Sequence, residues 1–359
     1  MRLRFTLGSG LALLVSGIIG AAPGGAIPQW GTEFGVSREI AGYFNLLFVG
    51  GLLGTFLGSR MRHRHPWLSL ALIAEGAGLL LVALTPQFKG ILAAAPFLGL
   101  GLMVCNFHSN TLPAELYPEG RLTVLNRINA MFGVGSVLAP LLVTLLPWRV
   151  GYALFALLAL ITAGLLWQAP PPQLETHSNR PQAHPTLLPL ILLTLVAYVA
   201  LEVVLATFSG IYLRHLGYDP RLVGILLSLH WIAFSLGRVT LSGFIAQRTL
   251  SRLGVLLALT LGVIGVYFVP GLAFLFPLAG FLISPTFPTL YGFTHQRVGY
   301  FALAYVFYFS SVGANLIPAA FALLPVSAIP LGILGIMLLL ILLIQLLRRQ
   351  SEATQRPAL

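Results

Sequence analysis

Residues 134–140 read VGSVLAP, and a related segment, VGANLIP, lies at residues 312–318. Each segment continues into Leu-Leu-Pro at the same spacing, and the register holds back to Thr111 in the first copy and Thr289 in the second. Apolar sequences match by chance, but a pair of prolines at identical spacing is a stronger signal. The match predicts that the chain consists of two repeated halves.

The composition excludes a soluble fold. Charged residues make up 8% of the 359 residues and hydrophobic residues 57%, whereas soluble domains carry about 25% charged residues. The solvent around the chain is therefore expected to be lipid. The single cysteine, Cys105, excludes a disulfide framework and a cysteine-based metal site. We expect no metal and no other cofactor.

Twelve apolar runs are long enough to cross the bilayer, because a helix needs about 20 residues to span a hydrocarbon core of roughly 30 Å. We therefore predict an all-α membrane protein with twelve transmembrane helices. The first run is expected to be retained as a helix rather than removed as a signal peptide. The predicted spans are residues 5–27, 40–59, 66–85, 90–113, 122–147, 149–168, 187–213, 220–246, 251–268, 271–293, 298–324 and 326–347.

One connection is long. Residues 169–186 contain three consecutive prolines and several polar side chains, and they are expected to link an N-terminal bundle, residues 1–168, to a C-terminal bundle, residues 187–359. The repeat pairs spans 4 and 5 with spans 10 and 11. A second repeat, TFLGSR at residues 55–60 against GFIAQR at residues 243–248, pairs the end of span 2 with the end of span 8. Two pseudo-symmetric six-helix bundles are predicted.

The basic residues predict the orientation, because cytoplasmic loops carry an excess of arginine and lysine. Both termini and the linker are expected to be cytoplasmic, in a prokaryotic inner membrane. The net charge of +11 then follows from topology, and no nucleic acid partner is expected. The cytoplasmic set is Arg2, Arg4, Arg60, Arg62, Arg64, Arg121, Arg180, Arg248, Arg252, Arg297, Arg348, Arg349 and Arg356, and the outer set is Arg38, Lys89, Arg149, Arg214 and Arg221.

The loops after spans 2 and 8 resemble a signature of the major facilitator superfamily, Gly-x-x-x-Asp-Arg followed by further basic residues. Arg60 and Arg248 stand at the arginine positions, while Ser59 and Gln247 stand at the aspartate positions. Together with the repeated halves, this resemblance covers the whole chain. It implies a monomeric transporter of small molecules that works by alternating access.

Within that superfamily, short segments resemble the branch of fucose permease and the sodium–glucose transporters. The resemblance implies uptake of a sugar. The chain departs from fucose permease in span 1, which contains no acidic residue, and near Asn106 in span 4, where an amide or an apolar residue stands in place of an acid. The segments that carry the resemblance are residues 198–202, 237–238, 242–243, 287–290, Asn110 and residues 125–126.

Ionisable side chains at membrane depth are candidates for ion coupling, because burial in hydrocarbon is costly for them. Glu202 in span 7 shares a helix face with Tyr198, four residues earlier. Glu75 in span 3 and His108 in span 4 are further candidates. Structural roles are the alternative: a neutral hydrogen-bonded acid at Glu202, a bond across a close helix contact at Glu75, and a core histidine at His108.

Amide and phenol side chains are candidates for substrate binding, because they can both donate hydrogen bonds to a polyol and accept them from it. The alternative is that amides in lipid bond to one another and that the tyrosines pack or anchor at the interface. The candidate set is Asn106, Asn110, Asn126, Asn129, Tyr198, Tyr308 and Asn315.

Charged side chains near the expected cytoplasmic ends are candidates for gates, with static interface charges as the alternative. Arg127 is expected to pair with Glu115 or Glu119. Prolines and glycines at residues 22–28 and 284–288 predict breaks in spans 1 and 10. The candidate gate residues are Arg60, Glu115, Arg127, Arg238 and Arg248.

These features predict a secondary transporter rather than an enzyme, since the sequence contains no phosphate-binding loop, zinc-ligand spacing or nucleophile motif. The first hypothesis is transport of a small polar solute, a sugar, coupled to protons or sodium ions through Glu202. The second is export of lipophilic or amphipathic compounds, which the apolar span 1 favours. A receptor or scaffold is a third possibility, but the chain lacks the long loops that would bind partners.

Overall fold

The structure is a computed structural model that describes residues 2–117, 121–172, 185–246, 249–298 and 302–353. These residues form fourteen α-helices and four short 3-10 helices, with no strand among them, which confirms the all-α prediction. The α-helices are α1 (Arg2–Phe34), α2 (Glu39–Arg60), α3 (Trp67–Leu84), α4 (Phe88–Leu116), α5 (Arg121–Leu145), α6 (Trp148–Leu165), α7 (Leu188–His215), α8 (Pro220–Thr240), α9 (Ser242–Ala246), α10 (Thr249–Ile264), α11 (Pro277–Ile283), α12 (Thr286–Arg297), α13 (Ala302–Phe321) and α14 (Ile329–Ala353).

Ten helical segments in the described residues are long and apolar enough to cross a membrane. Two more complete the twelve predicted spans. A shorter apolar helix, Tyr305–Phe321, lies within α13, and the tenth predicted span is divided between α11 and α12. The chain is a multi-pass integral membrane protein.

The two predicted helix breaks have different outcomes. Span 10 is broken between α11 and α12, as predicted. The predicted break in span 1 is wrong, because α1 continues through Pro23 and Pro28. The side-chain amide of Gln29 donates hydrogen bonds to the carbonyl oxygens of Gly25, at 3.2 Å, and of Val143 in α5, at 2.5 Å. The carbonyls that lose a donor to Pro23 and Pro28 are those of Ile19 and Gly24, so these bonds do not replace the missing ones; the bond to Val143 ties α1 to α5.

The chain forms two compact units. Unit 1 comprises Met1–Glu175 and Gly217–Ser228, and unit 2 comprises Thr176–Leu216 and Leu229–Leu359. Unit 1 therefore contains α1–α6 and the first turns of α8, where the Ser228 hydroxyl donates a 2.8 Å hydrogen bond to the carbonyl oxygen of Val137. Unit 2 contains α7, the rest of α8 and α9–α14. The domain boundaries drawn from the sequence stay a prediction.

In unit 1, glycines allow helix backbones to touch. A Cβ atom on Gly135 of α5 would lie 2.0 Å from the carbonyl oxygen of Leu14 in α1. A Cβ atom on Gly50 of α2 would lie 2.0 Å from the carbonyl oxygen of Pro96 in α4. Lipid is as apolar as the side chains, so helix association in a membrane depends on such close packing. No residue larger than glycine fits at either position without a backbone shift.

Unit 2 repeats this device. A Cβ atom on Gly313 of α13 would lie 2.4 Å from the carbonyl oxygen of Val196 in α7, and one on Gly237 of α8 would lie 2.1 Å from the carbonyl oxygen of Phe281 in α11. Gly313 is the repeat partner of Gly135. The glycine shared by the two repeated segments therefore makes the same kind of helix contact in each unit.

Replacing either repeated glycine should destabilise the protein. We expect Gly135→Ala and Gly313→Ala each to lower the midpoint of thermal unfolding in detergent by several degrees, because the new methyl group displaces a backbone carbonyl. Gly262→Ala is the control, since nothing lies within 4 Å of its added Cβ, and alanine is favoured over glycine in a helix by about 1 kcal/mol. An equal loss of stability in all three variants would contradict the packing argument.

Candidate functional site

Three asparagines form a hydrogen-bonded ladder in unit 1. The Asn129 amide of α5 donates to the Asn110 side-chain oxygen in α4 at 2.7 Å. The Asn110 amide donates to the backbone carbonyl of Asn106 at 2.8 Å, and the Asn106 amide donates to that of Leu102 at 2.9 Å. Asn106 and Asn110 are half-buried and Asn129 is exposed. The predicted face of α4 therefore carries a line of amides that a ligand can reach.

The other polar candidates of unit 1 lie apart from this ladder. His108 is fully buried, and neither of its ring nitrogens makes a hydrogen bond among the described residues. It lies two residues from Asn106 and from Asn110, so it points to a different face of α4. The side chain of Asn126 lies outside the described residues. A coupling role for His108 stays a prediction.

Glu75 is fully buried in α3, at its contact with α4. Its Oε2 atom accepts a weak hydrogen bond from the Cys105 thiol at 3.8 Å, and Oε1 has no partner in the part of the chain that the structure describes. A Cβ atom on Gly101 of α4 would lie 2.6 Å from the Glu75 Cβ. A small residue thus lets the two helices approach closely, which is the alternative that the sequence left open for Glu75.

A polar cluster in unit 2 joins α7 to α8. The half-buried carboxyl group of Glu202 lies one turn after the buried Tyr198 in α7 and interacts electrostatically with the Arg238 guanidinium of α8, while the Tyr198 hydroxyl makes no hydrogen bond among the described residues. The ring centroid of Tyr198 lies 6.4 Å from that of Phe287 in α12. Short segments that are far apart in the sequence therefore meet here, and all of them belong to the resemblance noted above.

Arg238 also donates a hydrogen bond to a backbone carbonyl at the break in span 10, which the prolines there leave without its helical donor. Pro288 has no N–H, so the carbonyl of Ser284 loses the donor that a helix would supply four residues later. Arg238 Nε donates to that carbonyl at 3.3 Å instead. Pro285 likewise frees the carbonyl of Phe281, which accepts a 2.9 Å hydrogen bond from the Ser284 hydroxyl. The break thus gives a backbone carbonyl as partner to the arginine that interacts with Glu202.

The candidates of α13 form no comparable cluster. Asn315 is buried and donates a 2.9 Å hydrogen bond to the backbone carbonyl of Ser311, one turn earlier. Its amide nitrogen is therefore engaged within its own helix. Tyr308 is half-buried on the same helix. Substrate contact by either residue stays a prediction.

The sequence profile of the Major Facilitator Superfamily matches residues 9–318. The chain belongs to the major facilitator superfamily. No curated protein matches the sequence significantly.

Solved structures of other superfamily transporters share the fold. A mutant of the nucleoside transporter NupG is 12% identical, with a TM-score of 0.76 over 96% of this chain and 99% of that chain. The D-xylose-proton symporter is 16% identical, with a TM-score of 0.74 over 95% and 97%. A bacterial homologue of the human lysosomal transporter Spinster, in an inward-facing and unoccupied conformation, is 17% identical, with a TM-score of 0.69 over 96% and 94%.

Among the gate candidates, the predicted pairing of Arg127 with Glu115 is wrong. Glu115 pairs with Arg64 and not with Arg127: the two terminal nitrogens of Arg64 donate to the two carboxylate oxygens at 2.8 and 2.7 Å. Arg64 also donates to the hydroxyl of Thr111 at 3.0 Å and to the carbonyl of Pro170 at 3.2 Å. The Arg64 side chain is fully buried and that of Glu115 is 15% exposed. The bidentate, desolvated pair ties the loop after α2 to the end of α4.

The remaining gate candidates show fewer contacts. The Arg60 guanidinium lies 3.9 Å from the ring centroid of Phe56, one turn earlier in α2, and the Arg127 side chain is exposed. Glu119 and Arg248 lie outside the described residues. Sequence reasoning missed Arg64 because it counted that residue only as a loop charge. Its place in the basic loop that resembles the superfamily signature was the available clue.

Breaking the Arg64–Glu115 pair should destabilise the protein strongly. Removing one partner of a buried pair costs about 3–5 kcal/mol, because the other charge is left desolvated and unpaired. We therefore expect Glu115→Gln to lower the thermal midpoint far more than Glu352→Gln, which breaks an exposed pair with Arg348 at 3.5 Å.

The double variant Arg64→Met, Glu115→Met removes both charges and should recover much of the lost stability. Differential scanning fluorimetry of the purified variants is the measurement. A similar, small effect of Glu115→Gln and Glu352→Gln would show that the buried pair does not hold this end of unit 1 together.

Proposed function

We propose that this chain is a secondary active transporter that moves a small polyhydroxylated solute, a sugar or a close relative, by alternating access. The observation that carries the proposal is the cluster of Glu202, Tyr198 and Arg238 at the broken tenth span. The asparagine ladder of unit 1 supports it. An acid, an arginine and several amides are costly to place in a membrane, so their presence there favours a role in transport.

The asparagine ladder suits a ligand that is rich in hydroxyl groups. Each amide both donates and accepts hydrogen bonds, as each hydroxyl of a sugar does. Exposed Asn129 and half-buried Asn110 already bond to each other, so their geometry is fixed before a ligand arrives. The related folds include transporters of nucleosides and of D-xylose, and both of these substrates contain a hydroxylated sugar.

Glu202 is the group that we assign to coupling with protons or sodium ions. While its carboxylate is charged, it attracts the Arg238 guanidinium; a bound proton or cation weakens that attraction. Arg238 also bonds to the Ser284 carbonyl between α11 and α12. The ionic state of Glu202 is therefore connected, through one side chain, to the place where the tenth span can bend.

Export of lipophilic or amphipathic compounds is the second candidate. The observation that favours it is α1, which has no charged residue between Arg4 and Glu33. A transporter that binds apolar cations by packing and one acid would need no charge in this helix. Glu202 would then be the acid.

The proposal includes the topology that the arginines predict: both termini on the cytoplasmic side of a prokaryotic inner membrane, two bundles at residues 1–168 and 187–359, and a monomer as the working unit. The support is the arginine distribution and the two repeated segments. Cysteine labelling of introduced sites near either terminus, from each side of the membrane, would test the orientation.

Removing the charge of Glu202 should uncouple transport. The assay uses proteoliposomes and a solute that raises the thermal midpoint of the purified protein. In this assay we expect Glu202→Gln to abolish accumulation driven by a proton or sodium gradient. Exchange of labelled for unlabelled solute across the membrane should stay within about threefold of wild type, because exchange does not require the coupling ion to be released.

Glu75→Gln is the matched control, since it neutralises the other acid of the candidate coupling set, which lies at the contact between α3 and α4. It should retain gradient-driven accumulation. Loss of accumulation in Glu75→Gln with normal accumulation in Glu202→Gln would transfer the coupling role to Glu75. Normal accumulation in both would remove these two acids from the mechanism.

A ligand screen should identify the substrate class. We expect sugars or polyols, rather than lipophilic cations, to raise the thermal midpoint of the purified protein, because a ligand of the folded state stabilises it. Asn129→Ala should lower the affinity for that ligand by about three- to tenfold, which corresponds to the loss of one hydrogen bond. Asn45→Ala, at an exposed asparagine of α2 outside the ladder, is the control. Stabilisation by lipophilic cations alone would favour the exporter.

A further inference from the structure

An open cavity of about 310 Å³ lies at the surface of unit 2, between the end of α8, α9, the start of α10 and the second half of the tenth span. Among the described residues, its polar lining comes from Arg238, Thr249, Thr289 and Gln296, and none of the lining residues is acidic. The cavity therefore combines a guanidinium, two hydroxyls and an amide. Its volume is at the lower end of the range for sites that bind small molecules.

The two internal repeats relate this cavity to the buried ion pair of unit 1. The register that pairs Thr111 with Thr289 also pairs Glu115 with Phe293, four residues later. The register that pairs residues 55–60 with residues 243–248 also pairs Arg64 with Arg252. Thr289 and Phe293 both line the cavity. The cavity thus lies at the position that the Arg64–Glu115 pair has in unit 1.

The two units fill this position differently. In unit 1, Arg64 reaches both the Thr111 hydroxyl and the Glu115 carboxylate. In unit 2, Arg252 instead donates a 2.6 Å hydrogen bond to the carbonyl of Phe244 and lies 4.7 Å from the centroid of that ring. Phe293 cannot supply the carboxylate that its repeat partner supplies. The space beside Thr289 is left open, with Arg238 on its wall.

The second half of the chain also contains few acidic residues to balance its arginines, and Glu202 is the one that interacts with Arg238. Between Glu202 and Glu352 the sequence contains a single acid, Asp219. In the first half, Glu115 is available to pair with the arginine of the corresponding loop. The arginines between Glu202 and Glu352 are Arg214, Arg221, Arg238, Arg248, Arg252, Arg297, Arg348 and Arg349.

We propose that the cavity is a binding site for a phosphate-type oxyanion, which takes the place that the Glu115 carboxylate has in unit 1. The planar guanidinium of Arg238 matches two oxygens of such a group, and hydroxyls and an amide bond the others. Apolar walls at Ile245 and Phe293 strengthen the charge–charge attraction. The bound anion supplies, within the cavity, a negative charge that none of the lining residues supplies.

A phosphate-type oxyanion has two sources, a free phosphate and the headgroup of an anionic lipid. The predicted orientation places the cavity at the cytoplasmic end of unit 2, where anionic lipids attract basic groups. The inference does not depend on which solute is transported, because it rests on the repeat and on the cavity of unit 2.

The experiment is thermal unfolding of the full-length protein in two arms. In neutral detergent, inorganic phosphate is titrated against potassium chloride at constant ionic strength. In lipid nanodiscs, phosphatidylcholine alone is compared with phosphatidylcholine containing phosphatidylglycerol. We expect the thermal midpoint of wild type to rise by about 2–4 °C in at least one arm, because the anion binds only the folded state.

Two sets of variants assign the effect to the cavity. Thr289→Val removes one donor and should raise the half-effective anion concentration about tenfold, the effect of losing a hydrogen bond to a charged group. Thr260→Val is its control, because the buried Thr260 hydroxyl bonds within its own helix at 2.8 Å. Phe293→Glu supplies a carboxylate from the protein and should remove the anion dependence, whereas Phe293→Gln, of the same shape, should keep it.

Each outcome decides the matter. A phosphate shift that Thr289→Val weakens and Thr260→Val does not supports the site with a free phosphate as its ligand. A shift with phosphatidylglycerol alone, weakened in the same way, supports the site with a lipid headgroup as its ligand. No shift in either arm, or a shift that Thr289→Val and Phe293→Glu leave unchanged, overturns the proposal. If the Phe293 variants do not fold, the comparison of the two threonine variants decides.

Discussion

Every backbone carbonyl within the bilayer must find its donor inside the protein, and this constraint decides what the prolines of the chain do. In α1 the helix continues through Pro23 and Pro28, and the amide of Gln29, next to Pro28, ties it to α5. In the tenth span the carbonyl freed by Pro288 bonds to Arg238, and the helix is interrupted. A missing proline N–H thus occurs in a continuous helix in one half of the chain, and in an interrupted helix that bonds to an arginine in the other.

The repeated halves share their backbone contacts and differ in their polar chemistry. Gly135 and Gly313 bring paired helices together in the same way, and the repeated prolines have the same spacing. At other paired positions the residue types differ: Asn110 stands against Pro288, and Glu115 against Phe293. The repeat therefore accounts for how the helices pack in each unit. The different functions of the two units are expected at the paired positions that hold different residue types.

Much of the fold could be predicted from the sequence, because length and apolarity are sufficient to identify a membrane span. The break at Ser284, the contact of Glu75 across small residues and the face shared by Asn106 and Asn110 could be predicted as well, since each depends on neighbours along one helix. The Arg64–Glu115 pair could not. Its partners are separated by 51 positions, and which arginine reaches Glu115 depends on how the helices are rotated about their axes, which no local pattern encodes.

Arg64 and Arg238 differ in how firmly their side chains are held. Arg64 has a carboxylate, a hydroxyl and a carbonyl in a buried site, so displacing it would leave several groups unpaired at once. Arg238 donates one hydrogen bond to a backbone carbonyl, interacts electrostatically with Glu202 and lies 4.5 Å from the centroid of the Phe234 ring. It also lines an open cavity. A side chain that can exchange one modest partner for another changes position at little cost, whereas one with several buried partners does not. A transporter needs both, a fixed frame and a group whose partners can change. Arg64 has the more fixed set of partners and Arg238 the more exchangeable one.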